Sequence, residues 1–192
     1  MSPTAVSLPS PVARPTSWVR SADGTVTRDL PIAELQAAIA TPGTVVWIDI
    51  DSEQPAEVAV LEHVLHFHPL AIEDTLNPHS RVKLDEYDDV LFAIIRGVEF
   101  DRSTEDPLDL VTFNLCCFLG QELLVTTHAR PIPAVDQLHT RCAAGPDMLG
   151  RGAARAMYAI VDATVDAYFP VLDELNGLVD SLEDRVFERA DD

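Results

Sequence analysis

Residues 44–50 read Thr44-Val45-Val46-Trp47-Ile48-Asp49-Ile50. Five of the seven are β-branched and only Thr44 and Asp49 are polar, so the run predicts a strand covered on both faces. A strand buried on both sides needs a layer of helices above and below its sheet. The flanking sequence supplies them. On the upstream side Thr41-Pro42-Gly43 breaks the chain, and Pro31 opens a short helix that runs through Ile39. Before that helix, Trp18-Val19-Arg20 and Thr25-Val26-Thr27 flank Ala22-Asp23-Gly24, a hairpin in which Asp-Gly takes the positive-φ positions. Downstream, Asp51 or Ser52 is expected to cap a helix carrying Pro55 in its first turn and Val58, Leu61 and Leu65 on one face. A second short helix follows Pro69 and stops before Pro78. Four strand-like runs come next, Val82–Tyr87, Val90–Val98, Asp109–Leu119 and Glu122–Thr127, joined in pairs at Asp88-Asp89 and Gly120-Gln121. The class this predicts is α/β: an α/β/α sandwich on a mixed parallel and antiparallel sheet, over residues 17–145.

The two ends of the chain read differently. Residues 1–16 carry Pro3, Pro9, Pro11 and Pro15 with few large apolar groups, and are expected to be a disordered leader. They hold no apolar core of signal-peptide length. Over 146–192 the expectation is one long helix. Met157, Val161, Val165, Tyr168, Leu172, Leu175, Val179, Leu182 and Val186 recur at steps of three and four, a heptad-like stripe. Pro170 removes one backbone hydrogen bond and is expected to bend that helix near its middle.

Composition narrows the function classes. The 192 residues are 47% apolar and 23% charged, as in ordinary folded proteins, but 13 Lys and Arg face 32 Asp and Glu, for a net charge of −19. Such a surface repels phosphate backbones, and the 6% aromatics offer no stacking platform, so a nucleic-acid partner is excluded. Cations suit it; so does plain solubility. Cys116 and Cys117 are adjacent in a strand and point to opposite faces, and Cys142 stands alone, which fits a reducing compartment. No run approaches the roughly 18 apolar residues that span a bilayer, so the chain as it stands is expected to be soluble. Nucleophile elbows, phosphate loops and His-Glu-x-x-His are absent, and no enzyme activity is expected.

The densest set of possible ligands is His63, His66, His68, Glu73, Asp74 and His79. His63 and His66, three apart, could share a helix face and a soft metal, but no nearby Cys or carboxylate completes a tetrahedral set. A partly exposed helix end is the plainer reading. Glu73 and Asp74 diverge by roughly 100° on a helix, so they need oxygens from elsewhere to hold a hard cation. Asp162 and Asp166 share one face of the long helix and repel each other unless a cation bridges them. A solvated helix surface accounts equally for both pairs.

The run His68-Pro69-Leu70-Ala71-Ile72-Glu73-Asp74-Thr75-Leu76-Asn77, continued by Arg81, Lys83 and Tyr87, resembles a segment of the CorA magnesium and cobalt transporters. Trp47-Ile48-Asp49, the hairpin at Gly120, and Tyr158 through Phe169 resemble three more of its segments in the same order. The resemblance spans about residues 17–190. Where that family has Arg-Pro-Lys this chain has Arg81-Val82-Lys83, and Pro170 replaces an ordinary helix residue. The resemblance implies an N-terminal cytoplasmic α/β/α domain, followed by a helical hairpin, a stalk helix and two membrane helices, in a homopentamer. The chain is then expected to end in the first helix of the hairpin, ahead of the parts that conduct ions. It also implies a regulatory role, with Mg²⁺ (or Co²⁺ or Zn²⁺) binding weakly at Glu73, Asp74 and Asp162 between neighbouring subunits. The alternatives are the cytoplasmic domain of a ZntB-type zinc transporter, or an acidic binding module without a transport role.

Overall fold

The computed structural model describes residues 15–106 and 109–190. The expected leader lies outside these residues up to position 14, while Thr16, assigned to it from sequence, already opens the first strand. The elements in order are β1 Thr16–Arg20, β2 Val26–Arg28, α1 Ile32–Ile39, β3 Val45–Asp51, α2 Pro55–His63, α3 Pro69–Leu76, β4 Lys83–Tyr87, β5 Val90–Phe100, β6 Leu110–Leu119, β7 Leu123–His128, α4 Pro133–Ala144, a 3-10 turn Leu149–Arg151, α5 Ala153–Asp166 and α6 Tyr168–Ala190.

The strands form a seven-stranded sheet in the order β2-β1-β3-β7-β6-β5-β4. β3 and β7 are parallel and every other neighbouring pair is antiparallel, so the sheet is mixed as expected. Alternation along β3 divides the interior in two. Trp47 points into a core with Trp18, Leu115, Cys117, Leu124 and the inner faces of α4 and α5. Val46, Ile48 and Ile50 point the other way, to Leu35, Leu61, Phe67, Ala71, Phe92 and Phe118 beneath α1, α2 and α3. This is the α/β/α sandwich. Cys116 and Cys117 fall in different cores, as period-2 geometry requires, and burial pushes the Cys116 thiol up to about 11.

Two local readings are corrected and one helix is added. Neither Asp51 nor Ser52 caps α2, whose N-cap is Gln54; Asp51 instead folds a turn by accepting from the Glu53 N–H at 2.9 Å. α4 falls where the sequence reading assigned no element: Pro133 starts it and Ala134, Val135, Leu138 and Cys142 are buried along one side. The expected single helix over 146–192 is divided at Ala167, where the bend was placed at Pro170. Pro170 has no N–H for the carbonyl of Asp166, so α5 ends at Asp166 and the Ala167 N–H closes on Ala163. The long C-terminal helix is then α6, of 23 residues. Ala153, Ala156 and Ile160 of α5 belong to the sandwich core. No helix among the described residues is long and apolar enough to cross a membrane.

The junction is pinned by Tyr168, whose hydroxyl donates to the Arg96 carbonyl of β5 at 2.6 Å. Tyr168→Phe is expected to lower stability by about 1 kcal/mol, a thermal midpoint roughly 2–4 °C lower by circular dichroism. An unchanged midpoint would show that α6 is held by other contacts.

Candidate functional site

The sequence-predicted carboxylates Glu73 and Asp74 sit on α3. His68 is the N-cap of this helix, its Nδ1 accepting from the Leu70 N–H at 3.2 Å and its ring stacked on Tyr87 at 4.5 Å between centroids. Ala71 and Thr75, four apart, face the core, and the Thr75 hydroxyl turns back to the Ala71 carbonyl at 2.9 Å. That registration leaves Glu73 exposed and Asp74 half-buried on the flank. Asp74 is engaged: Oδ2 accepts from Lys83 Nζ at 2.6 Å and Oδ1 from Ser80 Oγ at 3.3 Å. Lys83, the only lysine in the chain, also meets Asp85 at 2.6 Å. The hydrogen bond to Asp74, then that to Asp85, raises its pKa well above the ordinary lysine value, so this cation stays charged.

Asp162 lies elsewhere. It is exposed on α5, whose buried side (Ala156, Ile160, Thr164) packs on the face of the sheet opposite α3. Asp166 lines a cavity of about 470 Å³ between β5, α4 and α5. The structure therefore brings Glu73 and Asp74 side by side and puts Asp162 in the other layer. Among the described residues no group of three or more His, Cys, Asp or Glu is arranged to hold a metal, the His63 and His66 cluster included.

A second polar constellation was not singled out from sequence. Asp49, at the carboxyl end of β3, is only 10% exposed and carries a complete set of donors. Oδ1 accepts from the Thr126 hydroxyl and from His128 Nε2 at 3.1 Å, and Oδ2 contacts His139 Nε2 at 2.9 Å. Trp18 Nε1 donates to His139 Nδ1 at 2.9 Å, which fixes the tautomer, because an indole N–H can only donate. The His139 proton is thus on Nε2 and points at Asp49. Trp47 Nε1 completes the set by donating to Thr126 Oγ1 at 3.0 Å, and its ring packs on His139 at 4.3 Å. Burial pushes the Asp49 carboxyl up, but hydrogen bonds from His128, His139 and Thr126 outweigh it and lower its pKa to about 2. This network ties β1, β3 and β7 to α4. Its sequence signal was the lone carboxylate in an otherwise apolar strand.

Comparison with known proteins follows the same outline. The sequence model of the family described as "CorA-like Mg2+ transporter protein" matches residues 42–192. The chain is 26% identical over 156 residues to the cobalt/magnesium transport protein CorA of Thermotoga maritima, covering 77% of this chain and 42% of that protein. It is 32% identical over 138 residues to YfjQ of Bacillus subtilis, named as a candidate metal ion transporter, covering 72% of this chain and 41% of that one. The chain thus spans about two-fifths of the length of these relatives. In fold it is similar to the soluble domain of CorA from Methanocaldococcus jannaschii, with a TM-score of 0.65 at 19% identity over 92% of this chain and 65% of that one. The ZntB cytoplasmic domain of Vibrio parahaemolyticus shares the fold at a TM-score of 0.61 and 18% identity, over 84% and 63% of the two chains. With four-fifths of its residues matched by the family's sequence model and the same sandwich in its structure, this chain belongs to the CorA-like Mg²⁺ transporter family.

Proposed function

We propose that the chain is the cytoplasmic, divalent-cation-sensing domain of a CorA-type Mg²⁺/Co²⁺ transport channel, with Glu73, Asp74 and Asp162 contributing regulatory ligands. One observation carries this reading. The α3 carboxylates and Asp162 occupy opposite layers of the sandwich, so one copy cannot close them on a single ion. Neighbouring copies in a ring, each presenting α3 to the next copy's α5, can. Ion binding then becomes a contact between subunits, which is what a sensor coupled to channel closure requires.

The chemistry is consistent with Mg²⁺. An all-oxygen ligand set suits a hard cation, which keeps much of its water and binds weakly. The ZntB likeness is one of fold, so the ligands and not the architecture favour Mg²⁺ over Zn²⁺. Glu73 and Asp162 are the freer ligands, since Asp74 already holds Lys83. The net charge of −19 adds the drive: an acidic ring repels itself until cations neutralise it. Membrane attachment, the homopentameric assembly and a place on the cytoplasmic side belong to the same proposal, which includes no catalysis and no nucleic-acid partner.

The test uses the intact membrane protein that carries this domain. Millimolar Mg²⁺ is expected to slow protease cleavage of the wild type. Combining Glu73→Gln with Asp162→Asn is expected to raise the Mg²⁺ needed by about tenfold, the effect of losing roughly 1.4 kcal/mol of binding. Protection at an unchanged Mg²⁺ concentration would remove both residues from the sensor.

A further inference from the structure

The acidic balance of the chain makes its arginines informative. Three of them, Arg141, Arg151 and Arg155, line one cavity of about 250 Å³ with Ala144, Asp147 and Met148. They come from three elements. Arg141 is in the last turn of α4, Arg151 ends the 3-10 turn, and Arg155 is in the first turn of α5. Gly152, at φ +88°, makes the sharp reversal that puts Arg151 and Arg155 at the same mouth. A fourth guanidinium stands behind them: Arg20 packs on Gly150, where an added Cβ would lie 3.2 Å from its Nε, and that Nε is buried without a partner.

None of these four arginines makes an ion pair among the described residues, as is true of the separate Arg81 and Arg96, whereas Arg28, Lys83, Arg102 and Arg130 each do. Carboxylates are close by. Asp147 lines the cavity and Glu122 reaches Gly152, yet neither comes within ion-pairing distance, 4.0 Å, of an arginine nitrogen. Arg155 is placed against its own helix. A cation in a first turn opposes the helix dipole, and no acidic residue of that turn offsets it. Its guanidinium is nevertheless held in position over the Tyr158 ring, at 4.7 Å. The chain has 32 acidic residues, and among the described ones none pairs with this cluster.

We propose that this arginine-lined cavity binds a phosphate or diphosphate group. The guanidinium fork matches two phosphate oxygens at once and stays charged at every physiological pH. An anion here would relieve the mutual repulsion of the arginines and the misplaced charge at the start of α5 together. Arg141 and Arg151 are exposed and Arg155 is half-buried, so the cavity is open to solvent, and its volume of about 250 Å³ has room for one or two phosphoryl groups. The site is on the α4–α5 side of the sheet, away from the α3 carboxylates, and does not depend on the sensor proposal.

Calorimetric titration of the chain with inorganic pyrophosphate, at about 150 mM sodium chloride so that weak surface attraction is screened, tests it. A dissociation constant below about 1 mM is expected. Arg151→Gln and Arg155→Gln are each expected to weaken it about tenfold or more, and Arg28→Gln, already paired with Asp29, to leave it unchanged. Unchanged circular dichroism spectra would show that the variants remain folded. Vesicles of phosphatidylcholine with phosphatidic acid identify the source of the group. Pyrophosphate-competed sedimentation with them assigns a lipid headgroup, and pyrophosphate binding without sedimentation assigns a soluble anion. Absence of pyrophosphate binding, or equal weakening by Arg28→Gln, overturns the site. So does a result in which Arg151→Gln changes only self-association, because the cluster is then a docking surface for acidic protein.

Discussion

Asp49→Ala is expected to destabilise the domain by about 3–5 kcal/mol, the largest effect of any single polar substitution in this fold. The loss is not that of one hydrogen bond. Removing the carboxylate strands the His128 and His139 N–H groups and the Thr126 hydroxyl in a buried space, and His139 cannot change tautomer while Trp18 donates to its other nitrogen. A fall of about 6–20 °C in the thermal midpoint should follow. A fall of under 2 °C would mean that water replaces the carboxylate and that the network carries little.

The same network sets a pH dependence. The Asp49 pKa is lowered on folding from 3.8 to about 2, so its stabilisation is complete above about pH 4 and is lost as pH falls toward 2, a change of about 2 kcal/mol. His128 moves the other way. Burial pulls it down, but the hydrogen bond and charge of Asp49 prevail and its pKa is raised above 6.5. Its contribution is therefore complete below pH 6.5 and drains as pH rises through the folded value. The difference in midpoint between the wild type and Asp49→Asn is expected to be widest between about pH 4 and 6.5 and to narrow on both sides. Taking the difference cancels the self-repulsion of the other carboxylates. A difference that is flat from pH 3 to 9 would rule out the charged pair.

The second large effect is at Gly97. It pairs directly with Phe113 across β5 and β6, and the Phe113 ring lies over the bare backbone, where an added Cβ would overlap its Cε and Cζ atoms. The Arg130 guanidinium lies over the ring at 5.4 Å while pairing with Glu99, so displacing the ring also disturbs that contact. Gly97→Ala is expected to cost about 2–3 kcal/mol, the scale of overpacking, and to lower the midpoint by about 5–10 °C. Adding Phe113→Leu should recover at least half of the loss, since the two residues are in contact and their effects are not additive. Simple addition of the two losses would show that Gly97 is required for some other reason.

Much of the fold was legible because its signals are local. Each hairpin has its turn residues, and α3 has His68 and Pro69 at its start. β3 declares a buried strand in seven consecutive residues. α4 carries no comparable local signal. Pro131 and Pro133 resemble loop residues, and the apolar positions of the helix are interspersed with Asp136, Gln137, His139 and Arg141. Only the cover provided by α5 and the sheet makes that side apolar in practice. The stripe from Met157 onward showed the opposite limit: its spacing was read correctly as helical, but spacing is blind to the hydrogen bond lost at Pro170, so the division at Ala167 appeared as a bend.

By itself the sequence determined the class of the fold, the alternation of its strands, the division of the cysteines between two cores, and the family resemblance carried by His68 through Tyr87. These depend on neighbours a few residues apart, where backbone geometry and side-chain periodicity act directly. Only the tertiary structure decided which carboxylates meet. It paired Asp74 with Lys83, put Asp162 in the opposite layer, locked Asp49 between His128 and His139, and left Arg141, Arg151 and Arg155 together with no ion-paired carboxylate among the described residues. The physical reason is that the partners of Asp49 lie 77 to 90 residues away, so strand order and the choice of sheet face, rather than spacing, bring such charges together.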